Sequence, residues 1–133
     1  MNPLYYLVAD RARHRCEYCR APESIFNAVL EVEHIIPIAL GGSDNENNLA
    51  LACRSCNGFK GSRSGYIDIE SSQEERFYHP RQDLWEEHFS VESALSEILA
   101  LTAIGRVTIV GLKMNSRAQL TAREFWIQLG LFP

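Results

Sequence analysis

Leu4, Leu7, Val8 and Arg11 fall at helical spacing, so residues 4–13 predict a short helix. Residues 26–37 are rich in Val and Ile, end at Pro37 and predict a strand. Gly41-Gly42-Ser43-Asp44-Asn45 has the composition of a turn. A second short strand is expected over 49–53. One or two helical turns over 54–60 follow, closed by Gly61. The pattern reads strand, loop, strand, helix. Residues 62–73 are polar and read as a connector. Residues 80–89 predict a helix with Leu84, Trp85 and His88 near one face. Residues 90–101 fit either a hairpin or an amphipathic helix, and the hairpin is preferred because Val91 and Glu92-Ser93 suit a strand and its turn. Thr102 can cap a helix reaching Met114, and Ser116 another reaching Leu129, with Gly130 as its stop.

Composition changes this picture little. A chain of 133 residues with 46 % hydrophobic content suits one domain, or a small domain with an extension. The expected division is 1–64 and 65–133. The longest apolar stretch, 99–112, is interrupted by Arg106 and falls short of the roughly 18 residues of a membrane span. The first residues lack the basic-then-apolar order of a secretory leader, so a cytoplasmic protein without a membrane partner is expected. A net charge of -4 argues against coating nucleic acid by bulk charge. Its distribution is uneven. Arg11, Arg13, Arg15 and Arg20, then Arg54, Lys60 and Arg63, form basic patches in the first half, while the acidic excess lies around 68–75 and 83–87.

The four cysteines form two pairs, Cys16-x-x-Cys19 and Cys53-x-x-Cys56. Two residues between thiols let a tight knuckle aim both sulfurs at one point, and two knuckles supply the tetrahedral set that zinc prefers. Two disulfides would need an oxidising compartment, which nothing in the sequence suggests. Structural Zn²⁺ is therefore the expectation. A closed four-thiolate site has no open position, so chemistry falls to other residues.

Between and beside the knuckles lie Glu33, His34, Asn48 and Asn57. A carboxylate suits a hard ion such as Mg²⁺ or Mn²⁺. An imidazole can act as general base. An amide can ligate a metal or hold an imidazole in place. These parts suffice to hydrolyse a phosphodiester. One tension stands in the pattern: neighbours in a regular strand point to opposite faces, so Glu33 and His34 share a site only where the strand distorts or borders a groove.

The order Cys16-x-x-Cys19, Glu33-His34-Ile35-Ile36-Pro37, Gly41-Gly42, Asn48-Leu49 and Cys53-x-x-Cys56-Asn57-x-x-Lys60 resembles the HNH endonuclease motif over residues 14–61. The resemblance implies an α+β protein. Its ββα-metal core would be stapled by the four-cysteine zinc site, with an N-terminal helix and a mixed, mainly helical C-terminal extension. "HPRQDLWEEHF" and "LTAIGRVTIVGLKMN" resemble the extension of a subgroup of small bacterial HNH proteins. Carried over by position, the resemblance makes His34 the general base and Asn48 the residue that orients it. Glu33 and Asn57 become ligands of a catalytic divalent ion, and Lys60 becomes a phosphate contact. Arg54 and Arg63 are expected to join Lys60 on nucleic acid. Neither catalytic ligand is histidine, which favours Mg²⁺ or Mn²⁺ over zinc there. The implied activity is metal-dependent DNA cleavage. One site nicks one strand, and double-strand cutting would take a dimer or a protein partner. The rival reading is a zinc-stapled module that binds nucleic acid or protein without cutting. His14, His79 and His88 read as surface or packing residues, and Trp85, Phe89, Phe125 and Trp126 as core.

Overall fold

A short N-terminal helix, α1 (Tyr5–Arg11), leads into the first cysteine knuckle of the computed structural model, which describes residues 1–133. Its buried face is Tyr5, Val8 and Ala9, rotated from the expected one, and Leu4 and Leu7 are exposed. Polar tips on this helix set the rotation. The Tyr5 hydroxyl donates to Glu23 at 2.6 Å, and Arg11 donates to the carbonyl of Leu49 at 2.7 Å.

Two strands, β1 (Glu31–His34) and β2 (Leu49–Ala52), pair antiparallel, with Glu33 opposite Ala50 and His34 opposite Leu49. The strand expected over 26–37 is thus confined to its middle. The backbone N–H of Leu30 is taken by Glu23, and after Pro37 the chain winds into a 3₁₀ turn at Ile38–Leu40. Both sides of β2 are covered, which is why Leu-Ala-Leu-Ala is apolar throughout. Cys53 leaves the strand to cap α2 (Arg54–Lys60). Its sulfur accepts the backbone N–H of Cys56, so Cys-x-x-Cys spacing coincides with the N-cap-to-N3 spacing of a helix start. Gly61, at φ 54°, ends the helix.

The connector expected over 62–73 is a correction. β3 (Gly65–Ile67) pairs with β4 (Glu74–Arg76). Glu-Glu-Arg has no apolar alternation to announce a strand, and Gly65 allows the close approach, since a Cβ there would lie 2.4 Å from the carbonyl oxygen of Glu75. The helix expected over 80–89 is a second correction: only α3 (Trp85–His88) is helical. The Asp83 carboxylate accepts the backbone N–H of His79 and the guanidinium of Arg76, which folds 79–83 into a turn instead. The hairpin over 90–101 is present as β5 (Phe89–Glu92) and β6 (Glu97–Ala100). Thr102 and Ser116 cap α4 (Ala103–Gly111) and α5 (Arg117–Gln128) through their hydroxyls. The first of these stops short of Met114, because Lys113 adopts φ 50°.

The architecture is α+β, with three separate two-stranded sheets. One hydrophobic core runs through both halves of the chain, from Val8 and Tyr18 to Phe89 and Trp126. Trp85 and Phe89 pack within it with tilted rings, centroids 5.0 Å apart, and the Trp85 indole donates to the carbonyl of Tyr18. Phe125, expected in the core, is exposed beside the buried Trp126. No helix is long and apolar enough to cross a membrane.

Candidate active site

The four cysteines converge. Cys16, Cys19, Cys53 and Cys56 are all buried, and their sulfurs lie within 4.8 Å of one another. Zn–S bonds of about 2.3 Å in a tetrahedron place sulfurs about 3.8 Å apart. The Cys19 and Cys53 sulfurs are 3.6 Å apart, well beyond a disulfide's roughly 2.05 Å. The donor set and spacing fit structural zinc. The first knuckle is built by backbone geometry: the Cys16 N–H bonds the carbonyl of Ala21, and Arg20 turns the chain at φ 64°.

Beside the staple, Val32, Glu33, His34, Pro37, Asn57 and Gly61 border a polar groove of about 340 Å³. Glu31 and Glu33, two residues apart on β1, both meet side chains of α2. Asn57 donates its amide N–H to Glu31 at 2.7 Å, which fixes the amide orientation and leaves Oδ1 as the free acceptor. Glu33 is buried. Its carboxylate accepts from the Lys60 ammonium at 3.0 Å and from the Tyr18 hydroxyl. Burial pushes the Glu33 carboxyl up from its ordinary value, while Lys60 and Tyr18 pull it back down.

His34 is the last residue of β1. Its Nε2 lies 2.8 Å from Asp44, an acid of the turn over 41–45. An ionised carboxylate only accepts, so Nε2 carries the proton and Nδ1 is left as the basic nitrogen. Asn48 does not touch the imidazole. Its side chain accepts the N–H of Ile36 and donates to the carbonyls of Ile36 and Ser43 at 3.0 and 2.8 Å. It therefore holds the loop after His34. Gly42 completes that clamp, because a Cβ there would lie 1.8 Å from the carbonyl oxygen of Ile36.

Residues 16–63 match the family model of HNH endonucleases. No curated protein and no solved structure matches the chain. The matched segment includes both knuckles, the hairpin and α2, and ends just before β3.

Within the matched segment the basic residues part company. Arg54 is exposed at the start of α2. Lys60 is 1 % exposed, and its ammonium is shared between Glu33 and the carbonyl of His34, away from solvent and from any phosphate at the surface. Arg63 donates to the carbonyls of Phe59 and Gly111 and faces the rings of Tyr66 and Phe77, joining the segment to the remainder of the chain. Glu31, Asp44 and Tyr18 are the site residues missed from sequence. The period-two spacing of Glu31 and Glu33 is the signal that finds the first of them. The three remaining histidines are structural: His14 bonds Glu23 and Asp10, the N–H of Arg81 donates to His79, and His88 is buried against Thr102.

Proposed function

We propose that this protein is a cytoplasmic endonuclease that hydrolyses phosphodiester bonds of DNA, with the working unit in residues 1–64 and 65–133 as an extension packed on it. The observation that carries this reading is the HNH match together with a polar groove bordered by Glu33, His34 and Asn57. Glu33, whose carboxylate also takes the Lys60 ammonium and the Tyr18 hydroxyl, and Oδ1 of Asn57 are the oxygen donors that would hold Mg²⁺ or Mn²⁺. Such an ion, when bound, stabilises negative charge on the phosphate and the leaving oxygen. His34 takes a proton from the attacking water at Nδ1, while Asp44 holds the other ring nitrogen in its protonated tautomer. Asn48 and Gly42 keep the His34 backbone in register with the groove. Arg54, exposed one helical turn before Asn57, would meet the DNA backbone. Cleavage leaves 5′-phosphate and 3′-hydroxyl ends, and one such site nicks one strand. The test is metal-dependent nicking of supercoiled plasmid, abolished by EDTA.

The second reading, a zinc-stapled binding module, draws support from one observation. Glu33 already has its counter-charge in Lys60. Under that reading DNA is retained in EDTA and never nicked.

A further inference from the structure

Arg123, on α5, is the largest fully buried side chain in the protein. No carboxylate pairs with it. Its Nη atoms donate to the carbonyls of Ser96 and Met114 and to the amide oxygen of Asn115, at 2.8, 2.6 and 3.1 Å. Its Nε has no partner. A guanidinium does not give up its proton to escape burial, so an uncompensated one in a dry interior is strongly unfavourable. The Phe132 ring, 5.6 Å away, offsets part of that cost, and a buried anion nearby would offset more.

The same helix points to that anion. Gln119, one turn earlier and also buried, donates its amide N–H to the Cys56 sulfur at 3.8 Å. Residues four apart share a helix face, so Arg123 lies on the side of α5 turned toward the cysteine cluster. Four thiolates around Zn²⁺ form a dianion, and the cysteines are themselves fully enclosed. Burial lowers the Arg123 pKa, and all four cysteines act to raise it.

We infer that Gln119 and Arg123 form the outer shell of the zinc site, with Gln119 donating to a ligand sulfur and the Arg123 guanidinium supplying the counter-charge to the tetrathiolate. The C-terminal extension is then part of the metal site, although every ligand lies outside it. The dianion makes Arg123 tolerable in the core, and Arg123 makes the dianion tolerable in turn. This inference rests on the zinc site alone and stands or falls independently of nuclease activity.

The experiment is zinc release from the full-length protein into a chromophoric chelator. Outer-shell substitutions typically change metal affinity about 10–100-fold, and Arg123→Met is expected to accelerate release on that scale. Arg123→Lys keeps the charge while losing the planar fork and is expected to stay near wild type. A merely structural role for the guanidinium fork predicts that Lys releases zinc as fast as Met, and that result overturns the inference, as does wild-type release from Met. Gln119→Leu, close in volume, covers the case in which Arg123→Met does not fold. In Co²⁺-substituted protein, loss of an N–H donor to sulfur raises the thiolate donor level, so the thiolate-to-cobalt charge-transfer band is expected to move to lower energy. An unmoved band places Gln119 outside the shell and overturns the inference.

Discussion

Glu33 and Lys60 face each other at 3.0 Å beneath the groove, and both are almost fully buried. The acid expected to ligate a metal and the base expected to touch phosphate therefore neutralise one another. Lys60 spans from α2 to β1, bonding both Glu33 and the carbonyl of His34, so it sets the depth of the groove floor.

Removing one partner of this pair strands a charge. Lys60→Met is expected to destabilise the protein by about 3–5 kcal/mol, and adding Glu33→Gln is expected to recover part of that loss. Urea unfolding of the two single variants and the double variant measures the coupling. Strict additivity contradicts the ion pair.

The four-cysteine cluster, which fits zinc, joins residues far apart in sequence around one point. Structural zinc contributes about 10–16 kcal/mol of apparent binding free energy in small peptides, more than the marginal stability of most domains. Cys53→Ser also replaces the sulfur that caps α2. It is expected to lose metal and to melt non-cooperatively. Metal content by elemental analysis, read beside circular dichroism, checks this, and retention of zinc with an unchanged melting curve counts against the staple.

Gly42→Ala is expected to damage activity while sparing zinc. A Cβ at this position meets the Ile36 carbonyl oxygen and the Asn48 amide, so the loop after His34 must shift. Asn48→Ala removes the same clamp from the other side. Both variants are expected to keep wild-type zinc content and to lose cleavage together. Full activity in either one shows that the loop does not position His34.

Arg106 holds the buried Asp68 carboxylate at 2.9 and 3.0 Å and keeps its pKa well below the usual carboxylate range. A lowered carboxyl pKa adds stability that is fully present above the unfolded value of about 3.9 and is lost as pH falls toward the folded value. Wild type is therefore expected to exceed Asp68→Asn in stability at neutral pH, with the gap closing below about pH 4. A gap that is constant with pH contradicts the pairing.

The staple and the core elements were readable because each rests on local chemistry. Cys-x-x-Cys spacing matches a helix start, Thr102 and Ser116 cap the helices that follow them, and Gly61 and Gly130 stop helices at positive φ. What was hidden depends on tertiary partners. Lys60 looks like a surface cation until Glu33 and the carbonyl of His34 are placed opposite it. Asp83 diverts 79–83 from helix only because Arg76, seven residues earlier, arrives at its carboxylate. The β3–β4 pairing carries almost no apolar pattern, since Ile67 and Tyr66 are exposed and Glu74, Glu75 and Arg76 are polar. Arg123 gives no sign in the sequence that it lies inside.

The initial rate of plasmid nicking tests most directly whether His34 is the general base of a metal-dependent nuclease. Wild type and His34→Ala are compared at saturating Mg²⁺ or Mn²⁺, with EDTA as the metal-free control and zinc content as the folding control. General-base catalysis contributes about 10²–10⁴-fold, so His34→Ala is expected to lose activity on that scale with its zinc intact. Asp44, nine-tenths exposed, is expected to matter far less. Nicking by wild type that stops in EDTA and falls by this factor in His34→Ala is the predicted result. Nicking by His34→Ala at the wild-type rate contradicts it.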